Sequence, residues 1–144
     1  MIKSKLLSLL IILVLSGCQN DEISVAQLDN IKLEIVNKTN QPEGVSYSIK
    51  LTNESGHVIK QNNIYLSFPL KTQDNGILGN TFKIEATGNK LNIKDNEELI
   101  VNVFALKKGY EGNSNLDLDQ PYVEIKGYID EMKGENMFHT GHGT

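Results

Sequence analysis

Two hydrophobic patterns divide this chain. Residues 6–15 form a nearly unbroken apolar run, interrupted only by Ser8. From Ile31 onward the apolar residues fall at every second position, the period of a strand with one face buried. Ile31, Leu33 and Ile35 alternate with Lys32 and Glu34, and Val45, Tyr47, Ile49 and Leu51 with Ser46, Ser48, Lys50 and Thr52. The same alternation recurs at Ile64/Leu66/Phe68, Phe82/Ile84/Ala86, Leu99/Val101/Val103/Ala105 and Val123/Ile125/Gly127/Ile129. Short apolar stretches at Val58-Ile59 and Leu91/Ile93 extend neighbouring strands.

Turn chemistry fills the gaps. Pro42 and Gly44, the stretch Asn53-Glu54-Ser55-Gly56, Asp74-Asn75-Gly76, Thr87-Gly88-Asn89 and Lys94-Asp95-Asn96 all favour tight reversals. Beyond the leader no segment offers the i, i+3, i+4 apolar stripe of an amphipathic helix. The pattern predicts an all-β domain over residues 31–130, an antiparallel two-sheet sandwich of about seven strands. Residues 18–30 are polar and read as a tether, and the Gly-rich stretch 131–144 as a flexible C-terminal tail.

The leader has its own logic. Lys3 and Lys5 precede the apolar run, and the small residues Ser16 and Gly17 follow it, just before Cys18. That is the layout of a cleaved secretory signal peptide, residues 1–17. The run of about ten residues is too short for a spanning helix, which needs roughly 20. Leu15-Ser16-Gly17-Cys18 resembles the lipobox of bacterial lipoproteins at every position. The resemblance implies that Leu15, Ser16 and Gly17 are read by the signal peptidase and that cleavage precedes Cys18. It also implies that the Cys18 sulfur carries a diacylglyceryl lipid with palmitate-type chains. The expected location is the extracytoplasmic face of a cell membrane, in the cell envelope. Two acyl chains hold durably, because each buried CH₂ contributes roughly 0.8 kcal/mol and one chain alone is marginal.

Composition narrows the partners. Removing the first 17 of 144 residues leaves 127, enough for one ordinary domain. Cys18 is the only cysteine, so no disulfide can form within the chain. Every basic residue is lysine, and the processed chain carries 12 Lys against 18 acids, a formal charge of −6. A surface of that sign argues against nucleic acid as a partner.

Two stretches carry a further likeness. Tyr47–Gly56, ending Asn-Glu-Ser-Gly, and Leu91–Phe104, an apolar pair followed by a turn, two acids and an alternating strand, resemble immunoglobulin-like domains of bacterial surface proteins. The likeness spans roughly residues 31–130 and implies an immunoglobulin-like sandwich. With one cysteine and no tryptophan, the chain departs from the antibody-type Cys–Trp–Cys core.

Candidate chemistry is sparse. There is no Gly-x-Ser-x-Gly, phosphate loop or dinucleotide fingerprint, and His57 falls in a turn, where an exposed histidine is expected. His139 and His142 stand three residues apart, with Met132 and Met137 nearby, as weak soft-metal candidates. The loop 107–121 places an oxygen donor at every second position from Glu111 to Asp119, making Asp117 and Asp119 weak calcium candidates. Counted from Glu111, however, Leu116 and Tyr122 occupy the Gly and Glu positions of a calcium loop, so no metal or other cofactor is expected. Outside the core alternation, Ile100 and Phe104 on one strand and Tyr122 and Tyr128 on the next form a possible interface, if their strands share a sheet. The expectation is a membrane-anchored, non-catalytic module that binds an extracytoplasmic protein. The alternatives are a metal- or small-ligand-binding lipoprotein, or an inhibitor of an exported enzyme.

Overall fold

The computed structural model describes residues 24–71 and 82–143. The signal peptide, Leu15-Ser16-Gly17 and Cys18 lie outside the described residues. After a single helical turn, α1 (Val25–Leu28), come β1 (Ile31–Gln41), β2 (Gly44–Asn53), β3 (Ile59–Ser67), β4 (Lys83–Glu85), β5 (Asn92–Ile93), β6 (Glu97–Leu106), β7 (Tyr122–Ile129) and β8 (Met137–Gly143). All pairings are antiparallel. One sheet has the order β1-β2-β6; the other has β4-β3-β7-β8, with β5 also on β3. The chain changes sheet after β2, after β5 and after β6, so the sheets close over one another as an immunoglobulin-like sandwich.

The alternation read from the sequence is the core. Tyr47, Ile49 and Leu51 of β2 and Val101, Val103 and Ala105 of β6 face Ile64 and Leu66 of β3 and Val123, Ile125 and Ile129 of β7, all buried. One-residue parity puts the intervening polar side chains on the two outer faces. Phe68, just past β3, joins Tyr47 and Tyr110 in an aromatic row with ring centroids 6.3 and 5.1 Å apart. Burial, helped by neighbouring Tyr110, pushes the Tyr47 hydroxyl up to about 12.

The β1–β2 hairpin turns tightly, as Pro42 and Gly44 suggested. Strand β1 runs to Gln41, leaving only Pro42 and Glu43 as the loop. Gly44 then passes so close to β6 that a Cβ there would lie 2.3 Å from the Ala105 carbonyl oxygen. A side chain at this position would force the strands apart.

Three expectations need correction. The stretch 131–144 is not a flexible tail throughout: Met137–Gly143 pairs with β7 along its whole length and sends Phe138 into the core. The tether ends early, because α1 closes before Ile31 and Leu28 packs against the core. Phe82 does not share the buried face of Ile84 and Ala86, and half of it is exposed.

Candidate interaction surface

The four predicted interface residues do not meet. Ile100 and Phe104 point outward from β6, in the three-stranded sheet, whereas Tyr122 and Tyr128 point outward from β7, in the other. The long connection 107–121 carries the chain from one sheet to the other, so consecutive strands present opposite outer walls of the sandwich. The aromatic patch read from sequence is therefore two separate surfaces.

The wall carrying the tyrosines is the richer one. Register sets Tyr65 of β3 beside Glu124 of β7, and Lys126 of β7 beside His139 of β8. The Lys126 ammonium lies 5.7 Å from the Tyr65 ring centroid, a cation–π distance. Glu124 is 3% exposed although it points outward. Its carboxylate pairs with Lys83 of β4, receives His139 Nε2 at 3.2 Å and has the Lys126 ammonium at 4.0 Å. Gly141 makes room for the Tyr122 ring to lie over β8: a Cβ there would meet the tyrosine hydroxyl at 2.6 Å. Toward the other end of β8, Met137 is 66% exposed. The surface is thus a buried charge knot flanked by half-buried tyrosines, an aromatic and polar mixture suited to protein contact.

The knot has a pH signature. Burial alone would raise the Glu124 pKa, but hydrogen bonds from Lys83 and His139 outweigh it and hold the carboxyl below the ordinary carboxylate value. A depressed pKa contributes stability above the ordinary value that is lost as pH falls through the folded one. Glu124→Gln is expected to lower stability at pH 7 by about 1–3 kcal/mol. The deficit should shrink as pH falls below the ordinary carboxylate value and the wild-type carboxyl takes up its proton. Urea midpoints measured from pH 7 to pH 3 check this; a deficit constant with pH would contradict it.

The weak metal candidates are not brought together. Residues three apart on a strand face opposite sides, so His139 lies on the outer wall while His142 shares the parity of Phe138. In the 107–121 loop, the Asp117 carboxylate accepts the backbone N–H of Asp119 at 3.1 Å, and Asn113 Oδ1 accepts that of Asn115 at 3.1 Å. The alternating oxygens fold their own turns. Backbone bonds from Lys71 to Asn115 and from Asp117 to Pro69, with Tyr110 and Leu116 buried, dock the loop on the end of the sandwich. Beside it lies a cleft of about 510 Å³ lined by Lys71, Lys107, Tyr110, Asn113, Leu118 and Asp119, among others. Among the described residues no group of three or more histidine, cysteine or carboxylate side chains is placed to hold a metal.

His57 is not the exposed turn residue that was expected. Its Nδ1 lies 2.7 Å from Asp130 Oδ2 and its Nε2 2.9 Å from the Gln27 amide nitrogen. A carboxylate can only accept and an amide nitrogen can only donate, so Nδ1 donates and Nε2 accepts. Both ring nitrogens therefore serve the packing of α1 against the end of the domain, and Nε2 has no free role as a base. Asp130 also accepts the Val58 N–H at 2.9 Å. That sequence reading missed this trio is unsurprising, since 30 and 73 residues separate its members from His57.

Comparison with known proteins adds little. No protein-family model matches the sequence, and no curated protein matches it either. Among solved structures, the archaellum periplasmic stator protein FlaG from Sulfolobus acidocaldarius aligns over 79% of this chain and 99% of its own. The sequence identity is 13% and the TM-score 0.36. The fold assignment rests on the sheet order and register described above.

Proposed function

We propose that this chain is an exported lipoprotein, anchored through lipid on Cys18 at the extracytoplasmic face of a membrane. Its sandwich serves there as a non-catalytic protein-interaction module. The observation that carries the reading is the leader itself: a basic start, a ten-residue apolar run and Leu15-Ser16-Gly17 directly before the sole cysteine. The ordered domain supports the second half. Strand β1 begins at Ile31, 13 residues after Cys18, so the anchor sits on a short lead to a folded body. The wall of β4-β3-β7-β8 offers Tyr65, Tyr122 and Tyr128 around the Glu124 knot, and tyrosine is enriched among the residues that dominate binding energy.

The interaction half is tested on protein solubilised from its own membranes. Wild type is expected to retain a specific extracytoplasmic protein. A Lys126→Glu/Tyr128→Ala variant should retain at least about tenfold less, because a central tyrosine anchor contributes about 2 kcal/mol or more. Absence of any specific partner, or undiminished retention by the variant, would count against this role and leave the anchor standing.

A further inference from the structure

Among the described residues, four of the sandwich's strand edges are guarded against pairing with another chain, and one is not. Strand β1 carries Lys32 and Lys38 and a bulge between Ile35 and Asn37. Strand β4 has only three residues, two of them charged, and β5 only two. The outer edge of β6 is bridged by Thr87, which exchanges backbone hydrogen bonds with Asn102 at 2.7 and 3.0 Å. Lysines, bulges, short strands and covering segments are the usual devices that keep open edges from templating a new strand.

Strand β8 has none of them. It is seven residues long, Met-Phe-His-Thr-Gly-His-Gly, with no lysine, acid or proline, and its register with β7 is unbroken. It ends its sheet, and among the described residues no strand pairs with its outer side. Its sequence also complements itself. Reversed about Thr140, it sets Thr140 opposite Thr140, Phe138 opposite His142, and His139 and Met137 opposite Gly141 and Gly143. Thr–Thr and aromatic pairs are favourable cross-strand neighbours, and no two like charges oppose each other. The bulk of His139 and Met137 meets glycine, so no side chains collide on the outer wall.

We propose that β8 pairs with β8 of a second copy of this chain, antiparallel about a two-fold axis at Thr140, joining two five-stranded sheets into one. The dimer needs neither the lipid nor a foreign partner, so it goes beyond the function proposed above. The occupant is a second copy because the strand is matched to its own reverse, and an isologous contact closes after two subunits.

The test uses the full chain purified from membranes in detergent. Wild type is expected to sediment as a dimer. Opposed residues in an antiparallel pair have Cα atoms about 4.5–5.5 Å apart, within disulfide range. Thr140→Cys should therefore give a reducible covalent dimer on mild oxidation. Wild type, with Cys18 alone, and Lys38→Cys on the β1 edge should not. His139→Lys keeps a hydrogen-bond donor beside Glu124 but adds an edge lysine, and is expected to weaken dimerisation at least tenfold. A monomer at the highest soluble concentration would overturn the proposal, as would equal cross-linking at Lys38→Cys or an undiminished dimer in His139→Lys. Capture of another protein by Thr140→Cys in place of the homodimer would also overturn it, assigning the edge to a foreign strand. Since the lipid on Cys18 is read separately by mass, failure here leaves the anchor reading intact.

Discussion

Replacing Asn53 by alanine is expected to remove about 2–4 kcal/mol of stability, a large share of the 5–15 kcal/mol typical of a domain this size. Asn53 ends β2 and is fully buried. Its side-chain amide nitrogen reaches the carbonyls of Ile93 at 3.1 Å, Lys94 at 3.0 Å and His57 at 2.8 Å. Its Oδ1 accepts from the Ser55 hydroxyl at 2.7 Å and the Ser55 N–H at 3.2 Å. Meanwhile its backbone carbonyl takes the Asn96 N–H at 2.7 Å. One side chain thus ties the end of one sheet to the turn that leads into the other and to β5. Alanine would remove the donor that reaches these carbonyls and the acceptor that Ser55 uses, and an unsatisfied buried group costs more than a hydrogen bond normally contributes.

Asn53→Asp sharpens the argument. It keeps the acceptor for Ser55 but aims a second oxygen at three carbonyls, so at pH 7 it should be at least as damaging as alanine. Urea unfolding with an unchanged m-value measures both. A loss below about 1 kcal/mol in either variant would show that the amide is not the tie described here.

Asn53 also shows where sequence was sufficient. The Asn-Glu-Ser-Gly stretch marked a strand end by its chemistry, and the strands with clean alternation, β2, β6 and β7, turn their apolar faces inward as the period requires. Legibility failed where apolar residues were few. Strand β8 has only Phe138 in the core, and its glycines and histidines look like a mobile end. It is a strand because β7 presents an edge for it to pair with, information held nine residues and more away. In the 107–121 loop the sequence reading followed the alternating oxygen donors, while its isolated Tyr110 and Leu116 were the signal that it docks. The interface failed for a different reason. Parity tells which residues share a face of one strand, but it does not tell which sheet a strand joins. Ile100/Phe104 and Tyr122/Tyr128 were each placed outward correctly and then combined across a sheet change. The Glu124–Lys83–His139 knot draws on β7, β4 and β8, and no local pattern announces it.

The second large effect concerns the anchor. On the proposed reading, Cys18→Ser is expected to abolish incorporation of labelled palmitate and cleavage of the leader together. A serine hydroxyl cannot supply the thioether, and it is a far weaker nucleophile than a thiolate at neutral pH. Two acyl chains contribute roughly 0.8 kcal/mol per buried CH₂, so their loss should be close to all-or-none in membrane retention once the leader is removed. A variant starting at residue 19 behind an unrelated cleavable signal peptide isolates this effect. It is expected in the soluble extracytoplasmic fraction, folded, with wild-type urea stability, because it keeps α1, whose Leu28 packs on the core, and everything after it. Its net negative charge does not favour binding to anionic headgroups. Persistence of that variant in washed membranes would place the attachment in the domain itself.

The most direct measurement is the mass of the N-terminal peptide of protein isolated from its native cells. The account predicts a chain that begins at Cys18, with a diacylglyceryl group on its sulfur. A chain that begins at Met1 with a free Cys18 thiol, recovered from the cytosol, would contradict it.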